Sequence, residues 1–265
     1  HALIDVCEPA ESYSAARFRE DALAAIAASH GRGRIPLLVG GTFLYFRALE
    51  DGLSELPEAD PGVRARLLDD AARRGWPALH RDLARHDPAA AERIHPHDQQ
   101  RLQRALEVVL TTGQPISRLQ RQRRGPPPGL CFRRFHRAMA DRARLHQRIG
   151  HRFCRMLEQG LVDEVAALRA RHDLGLNQPA LRAVGYRQVW MHLEGVIDRA
   201  TMIERAIAAT RQYAKRQIGW LRHDRACGER LPEALDEALV VLQAEVDALH
   251  DPLAAGSASD RTALC

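Results

Sequence analysis

Residues 35–49 read IPLLVGGTFLYFRAL. A branched apolar run ends in Gly40, Gly41 and Thr42, and apolar residues at helical spacing follow at once: Phe43, Leu44, Phe46 and Leu49. Residues 35–39 have the length and branching of a buried strand, and Gly31 and Gly33 break the chain ahead of them. A continuous apolar run, rather than an alternating one, suits a parallel strand covered on both faces. A strand that turns straight into a helix therefore points to an α/β layered core. Glycine lets other groups approach the backbone closely, and a helix N-terminus offers free N–H groups to anions or polar ligands. Thr42 adds a hydroxyl at the carboxyl end of the strand, where open α/β sheets bind ligands. A tight turn with Thr42 as N-cap accounts for the same three residues without any ligand.

The surrounding chain extends this pattern. Residues 1–6 read as a short strand; Ser14 then caps a helix carrying Ala15, Phe18, Ala22 and Ile26, with Gly31 as its stop. The start thus reads β-α-β-α. From 61 to about 120 the segments are helical and charged with no strand candidate, which marks an insertion. GPPPGL at 125–130 is a stiff connector, and CFRRFHRAMA after it reads as a returning strand. Helices are expected over about 140–172, over 179–222 and in LPEALDEALVVLQAEVDALH. The domain expectation is an α/β core over 1–53 and 121–250, a helical insertion over 54–120, and a disordered small-residue tail over 251–265.

Composition narrows the compartment and the partners. No apolar run approaches the roughly 18 residues of a membrane span, and no signal peptide is evident. The five cysteines are scattered, and none has zinc-pair spacing, so a reduced cytoplasm is expected. A net charge of +5 and a pI near 9.3 lean towards polyanionic partners. Of the 39 basic residues only Lys215 is a lysine. Arginine richness by itself says little, whereas the one lysine is either a place where a compact ammonium serves better or a matter of chance.

Four basic stretches are candidate binding surfaces. In DQQRLQRALEVV, Asp98 caps a helix whose stripe is Leu102, Leu106 and Val109, with Gln100, Arg101, Gln103 and Arg104 around the other faces. In LHQRIGHRFCRML, Leu145, Ile149, Phe153 and Met156 or Leu157 form the buried stripe, and Arg148 and Arg152 share a face that can clamp a phosphate. In LRAVGYRQVW, Arg182 and Arg187 flank Gly185 and Tyr186, a ring that can stack on a base. In ATRQYAKRQIGWLRHDRA, Arg211, Lys215 and Arg222 share a face, with Arg216 and Gln217 beside it and Tyr213, Ile218, Trp220 and Leu221 interleaved. A solvated helix face is the competing reading for the first two stretches, and a packed helix start with two exposed arginines for the third. His95, His97 and Asp98 read as turn and cap rather than metal site, because Pro96 separates the histidines. No nucleophile elbow, zinc-protease helix or Gly-Lys-Ser/Thr phosphate loop is present.

Taken in order, HALIDVCEPAESYSAARFREDAL, IPLLVGGTFLYFRAL, DGLSELPEADP, IHPHDQQRLQRALEV, HQRIGHRF, LRAVGYRQ and ATRQYAKRQIGWLR resemble the bacterial tRNA dimethylallyltransferases, from His1 to about Arg222. The resemblance implies a P-loop NTPase-like parallel sheet, incomplete at its N-terminus, with an all-helical insertion that grips the anticodon stem-loop and a helical C-terminal part. It implies transfer of a dimethylallyl group from dimethylallyl diphosphate to N6 of the adenosine 3′ to the anticodon, with diphosphate released and Mg²⁺ assisting. By resemblance Thr42 meets the target nucleotide, flipped from its stack. Arg64 contacts RNA, as do Gln100, Arg101, Leu102, Gln103 and Arg104. Further contacts are implied for Arg182, Ala183, Val184, Gly185, Tyr186 and Arg187, and for Lys215, Arg216, Gln217, Ile218, Gly219, Trp220, Leu221 and Arg222. Arg152 occupies the position of an arginine near the diphosphate, where it would stabilise charge on the leaving group.

The family's Gly-rich loop and the Asp expected as general base have no counterpart in these residues. Near-inactivity of this chain by itself is therefore expected. Gly219 stands where a bulkier residue is often found. An isopentenyltransferase of free adenine nucleotides shares the core, but a small nucleotide needs no helical arm. A degenerate RNA-binding protein without catalysis and a remnant of a P-loop kinase are further alternatives. No membrane partner is expected, and a monomer is the default.

Overall fold

The computed structural model describes residues 1–122, 125, 127–223 and 228–250. These divide into two compact units, one formed by His1–Tyr45 with Cys131–Cys265 and the other by Phe46–Leu130. The tail expected to be disordered, 251–265, lies outside the described residues.

In the first unit, α1 (Ala15–His30) starts where Ser14 Oγ accepts the Arg17 N–H at 3.1 Å, and it ends at Gly31. Its buried side is Ala22 and Ile26. Phe18 on α1 stacks on Tyr45 at 4.4 Å between ring centroids, and the Tyr45 hydroxyl donates to the Tyr13 carbonyl at 3.1 Å. This ring packing ties the start of α2 (Phe43–Glu50) to α1.

Apart from a bridge residue at Ser54, the regular elements of the second unit among its described residues are helices: α3 (Pro61–Arg74), α4 (Trp76–His86), α5 (Pro88–Arg93), α6 (Gln99–Thr112) and α7 (Ile116–Arg121). Asp60-Pro61 and Asp87-Pro88 place an accepting side chain at the N-cap and a proline at the first helical position, where no N–H is needed. Asp87 is buried; it accepts the Ala90 N–H at 2.9 Å and the Ser117 N–H at 2.8 Å, so one carboxylate starts α5 and anchors α7. Leu67, Leu79, Leu83, Leu102, Leu106 and Val108 fill the core between these helices.

The first unit resumes with β1 (Phe135–His136), α8 (Arg142–Glu158), α9 (Leu161–Arg169), a 3-10 turn at Ala180–Arg182, α10 (Tyr186–Leu193), α11 (Arg199–His223), β2 (Glu229–Arg230) and α12 (Leu235–His250). Phe153, Leu161, Val165, Leu181, Val189, Trp190, Met202 and Ala206 form its core. The strands β1 and β2 pair in parallel, Phe135 opposite Glu229 and His136 opposite Arg230. Gly228 permits this approach: its φ is +75°, and a Cβ there would lie 2.1 Å from the Arg134 carbonyl oxygen.

A parallel pair is thus present, but it joins Phe135–His136 to Glu229–Arg230, a segment not expected to be a strand, and two of the expected strands are absent. Residues 1–6 and 35–39 run without strand hydrogen bonding, and the returning strand expected over CFRRFHRAMA contracts to Phe135–His136. Leu37 and Val39 are 73% and 86% exposed, so the run that reads as buried is not. The reason is pairwise: a strand needs a neighbour for its N–H and C=O groups, and composition cannot provide one. Among the described residues β1 and β2 form the single paired sheet, and no helix is long and apolar enough to cross a membrane.

Leu102 is fully buried at the centre of the second unit. Leu102→Ala should therefore lower stability by about 2–5 kcal/mol in urea unfolding. Leu68→Ala, on the exposed side of α3, should change it by less than about 0.5 kcal/mol.

Candidate functional site

In the first unit the Gly-Gly-Thr turn lies against α11. The Gln217 Nε2 donates to the Gly41 carbonyl at 3.1 Å. A Cβ on Gly41 would come within 2.2 Å of that same nitrogen, so glycine is required for the amide to reach the turn. One helical turn along, Trp220 stacks on Phe43 with planes 1° apart and centroids 5.6 Å apart. Tyr213, Gln217 and Trp220 follow one another at i, i+4 and i+7, which puts them on one face of α11. Thr42 is exposed; its carbonyl accepts the Tyr45 N–H at 2.9 Å, and among the described residues its hydroxyl makes no hydrogen bond. Thr42 therefore ends the turn through its backbone and leaves the hydroxyl available.

The rest of the basic face of α11 is exposed at Arg211, Lys215 and Arg222, while Ile218 and Leu221 are half-buried. The Arg216 guanidinium lies over the Tyr213 ring at 5.8 Å. Among the described residues, and apart from the helix's own backbone, no heavy atom lies within 4 Å of where a Cβ on Gly219 would be. Helix α8 packs on α11. Ile149 and Phe153 are buried on α8, and Leu145, Met156 and Leu157 are half-buried, as the spacing predicts. Arg148 and Arg152 lie on its exposed side. Desolvation, reinforced by the Arg211 and Arg142 charges, holds the His146 imidazole below its usual pKa.

Residues 182–187 divide by burial. Arg182, Ala183 and Arg187 are exposed and Val184 is half-buried. Gly185, at φ +101°, starts α10, and its N–H donates to the Gln188 side chain at 2.9 Å. Tyr186 is half-buried against the core, and its hydroxyl donates to the Glu164 carboxylate. That hydrogen bond, followed by burial and by the Glu164 charge, pushes the phenol pKa up to about 12. The ring that reads as a base-stacking platform is committed to packing here.

In the second unit, α3 and α6 bring Arg64 beside Gln103 and Arg104. Gln103 Nε2 donates to the Arg64 carbonyl at 3.4 Å. Between the two arginines sits Glu107, wholly buried. Its Oε1 accepts from Arg64 Nε and from the Asp60 N–H, both at 2.9 Å. Its Oε2 accepts from Arg104 Nη1 at 2.8 Å and from Arg64 Nη2 at 3.3 Å. Arg104 Nη2 also donates to the Pro57 carbonyl at 2.7 Å. Gln100 and Arg101 are exposed, and Arg101 pairs with Asp98 at 3.4 Å. Leu102, in the middle of this stretch, is a core residue with no exposed surface. Sequence reasoning missed Glu107; the available signal was an acid three residues after Arg104 within the apolar run ALEVV.

His95, His97 and Asp98 form a turn: the His97 N–H meets His95 Nδ1 at 3.2 Å, and Asp98 Oδ1 caps α6 at the Arg101 N–H, also at 3.2 Å.

Burial raises the Glu107 pKa, and hydrogen bonds from Arg104, Arg64 and the Asp60 N–H more than offset this, so the net shift is downward. A carboxylate depressed in the folded state contributes stability above its unfolded pKa and loses that contribution as pH falls through the folded value. Thermal unfolding followed against pH should therefore show the Glu107 contribution intact above about pH 4.5 and declining below it. Glu107→Gln should remove that contribution and flatten this part of the profile.

These arrangements can be set beside known proteins. A family described as IPP transferase matches residues 1–224. A tRNA dimethylallyltransferase of Alkalilimnicola ehrlichii is 61% identical over 227 residues, which are 85% of this chain and 71% of that protein. The tRNA dimethylallyltransferase of Thioalkalivibrio sulfidiphilus is 55% identical, over 91% of this chain and 75% of its own length. Among solved structures, a full-length tRNA isopentenylpyrophosphate transferase of Bacillus halodurans superposes with a TM-score of 0.60 at 31% identity, covering 93% of this chain and 77% of that one. A eukaryotic dimethylallyltransferase acting on tRNA shares the fold, with a TM-score of 0.70 at 24% identity over 94% of this chain and 65% of that one. A mostly helical fold with a short parallel sheet, matched over this length and at this identity, places the chain in the IPP transferase family.

Proposed function

We infer that this chain is a tRNA dimethylallyltransferase, a prenyltransferase acting on tRNA. Its family membership supports this, and so does the way each unit groups the residues that the resemblance assigns to RNA. The single observation that supports the site is the Gly41–Gln217 contact, which holds the turn preceding Thr42 against α11.

In the reaction we propose, the adenosine N6 lone pair attacks C1 of dimethylallyl diphosphate. The new C–N bond forms as the C1–O bond breaks, the bonding pair leaves with diphosphate, and N6 gives up a proton to a base. Thr42 would hydrogen-bond the flipped nucleotide in its channel. Arg152 would stabilise the charge gathering on the leaving diphosphate. Arg64, the exposed members of 100–104 and the exposed cations of 182–187 and 215–222 would hold the anticodon stem-loop, mostly through phosphates. Mg²⁺, where it assists, would supply further charge neutralisation at the diphosphate. Among the described residues no three acidic, histidine or cysteine side chains converge on one point, so the described side chains do not by themselves fit a Mg²⁺ site, and no step here runs through the ion.

Transfer to a free adenine nucleotide is the second enzyme reading. The helical second unit, with three arginines and two glutamines between Arg64 and Arg104 carried over as RNA contacts, favours a macromolecular substrate. AMP should accordingly fail to displace stem-loop RNA.

The test is binding to an anticodon stem-loop with adenosines around the target, against one with those adenosines changed to uridine, at two salt concentrations. Tighter binding to the adenosine loop that persists at higher salt is expected. Equal binding that falls together with salt would reduce the interaction to charge alone. Gly41→Ala should weaken binding to the adenosine loop several-fold, because the added methyl displaces the Gln217 amide. It should cost little stability, since a flexible side chain can move aside.

A further inference from the structure

We propose that Glu107 is a positioning residue for RNA recognition: its buried carboxylate holds Arg64 and Arg104 in one fixed arrangement for phosphate contact. The inference rests on the tRNA reading above and extends it to a residue that makes no RNA contact itself.

A carboxylate with no solvent exposure is an expensive way to fill a helix position, since an apolar side chain of similar size would pack without a desolvation cost. Here three of the hydrogen bonds to Glu107 come from two arginines, on α3 and α6, that are otherwise free to sample many rotamers, and a fourth comes from the Asp60 N–H. A guanidinium has five N–H donors in a rigid fork. Arg64 uses two of them on Glu107, and Arg104 uses one on Glu107 and one on the Pro57 carbonyl. Each therefore keeps donors for another partner, with 45% of the Arg64 side chain and 31% of the Arg104 side chain exposed. Among the described residues neither arginine pairs with a second carboxylate. One carboxylate facing two guanidiniums leaves a net positive pair, already ordered, and planar forks of this kind suit phosphate oxygens.

Net charge makes the idea testable. The chain carries +5, and removing an acid makes it more basic, so non-specific attraction to RNA should rise in Glu107→Gln. A loss of affinity would run against that trend and would report lost orientation.

The experiment measures anisotropy of a labelled adenosine-containing anticodon stem-loop and its uridine counterpart against wild type, E107Q, R64A and the E107Q/R64A double variant, with thermal unfolding of each. We expect E107Q to bind the adenosine loop about fivefold more weakly, the scale of one net hydrogen bond. R64A should cost less in the E107Q background than in wild type, because the two residues act together. Adenosine-loop affinity of E107Q equal to or above wild type, or additive single effects, would overturn the proposal even if thermal stability fell. If E107Q does not fold, R64K takes its place: it keeps the charge but not the fork, and wild-type affinity in R64K would equally overturn it. Failure of the tRNA reading is read separately, on the wild-type chain, as equal binding to both loops; that result removes the inference as well.

Discussion

A carboxylate enclosed by helices has to be met by cations or by N–H groups, and that requirement organises the helical second unit. Glu107 draws Arg64 from α3, Arg104 from its own helix and the Asp60 N–H from the residue that caps α3. The same contacts therefore set where α3 begins and how α3 and α6 lie against each other. Asp87 repeats the principle on a smaller scale, starting α5 and accepting from the first turn of α7. Around these two acids the leucine core supplies the bulk of the burial, and the acids restrict how the helices can slide over it.

The first unit is organised by close approach instead. Gly41 admits the Gln217 amide, and Gly228 admits the Arg134 carbonyl. In both places a side chain would occupy the space a neighbour needs, and at Gly228 the positive φ calls for glycine as well. The aromatic stacks of Phe18 on Tyr45 and Phe43 on Trp220 then fix α2 at its first turn, one ring pair towards α1 and the other towards α11. The turn at Thr42 is held from two sides, by the ring pairs on α2 and by the Gln217 amide.

Several elements are legible in the sequence. Ser14 and Gly31 delimit α1, Asp98 caps α6, and the helix expected at 43–50 is α2. Each depends on local signals: a capping side chain, a glycine stop, a period near 3.6. The strands expected at 1–6 and 35–39 rest on composition alone, and composition does not supply a pairing partner. Leu102 and Tyr186 show the same limit within the candidate site. Both lie in stretches that read as RNA-facing, yet Leu102 belongs to the core and the Tyr186 hydroxyl is engaged by Glu164.

From the sequence by itself came the family, the start of α1 and of α6, the excess positive charge and the set of residues from which an RNA surface could be built. These are properties of spacing, residue type and order along the chain. Tertiary structure alone decided which members of that set are available. It buried Leu102, half-buried Tyr186, left Thr42 with an unengaged hydroxyl, and placed one unforeseen acid between two arginines. The physical reason is that burial and ion pairing are relations between elements far apart in sequence. Asp60 and Arg64 meet Glu107 across more than forty residues of chain, and Gly41 meets Gln217 across 176. No local pattern records such a meeting.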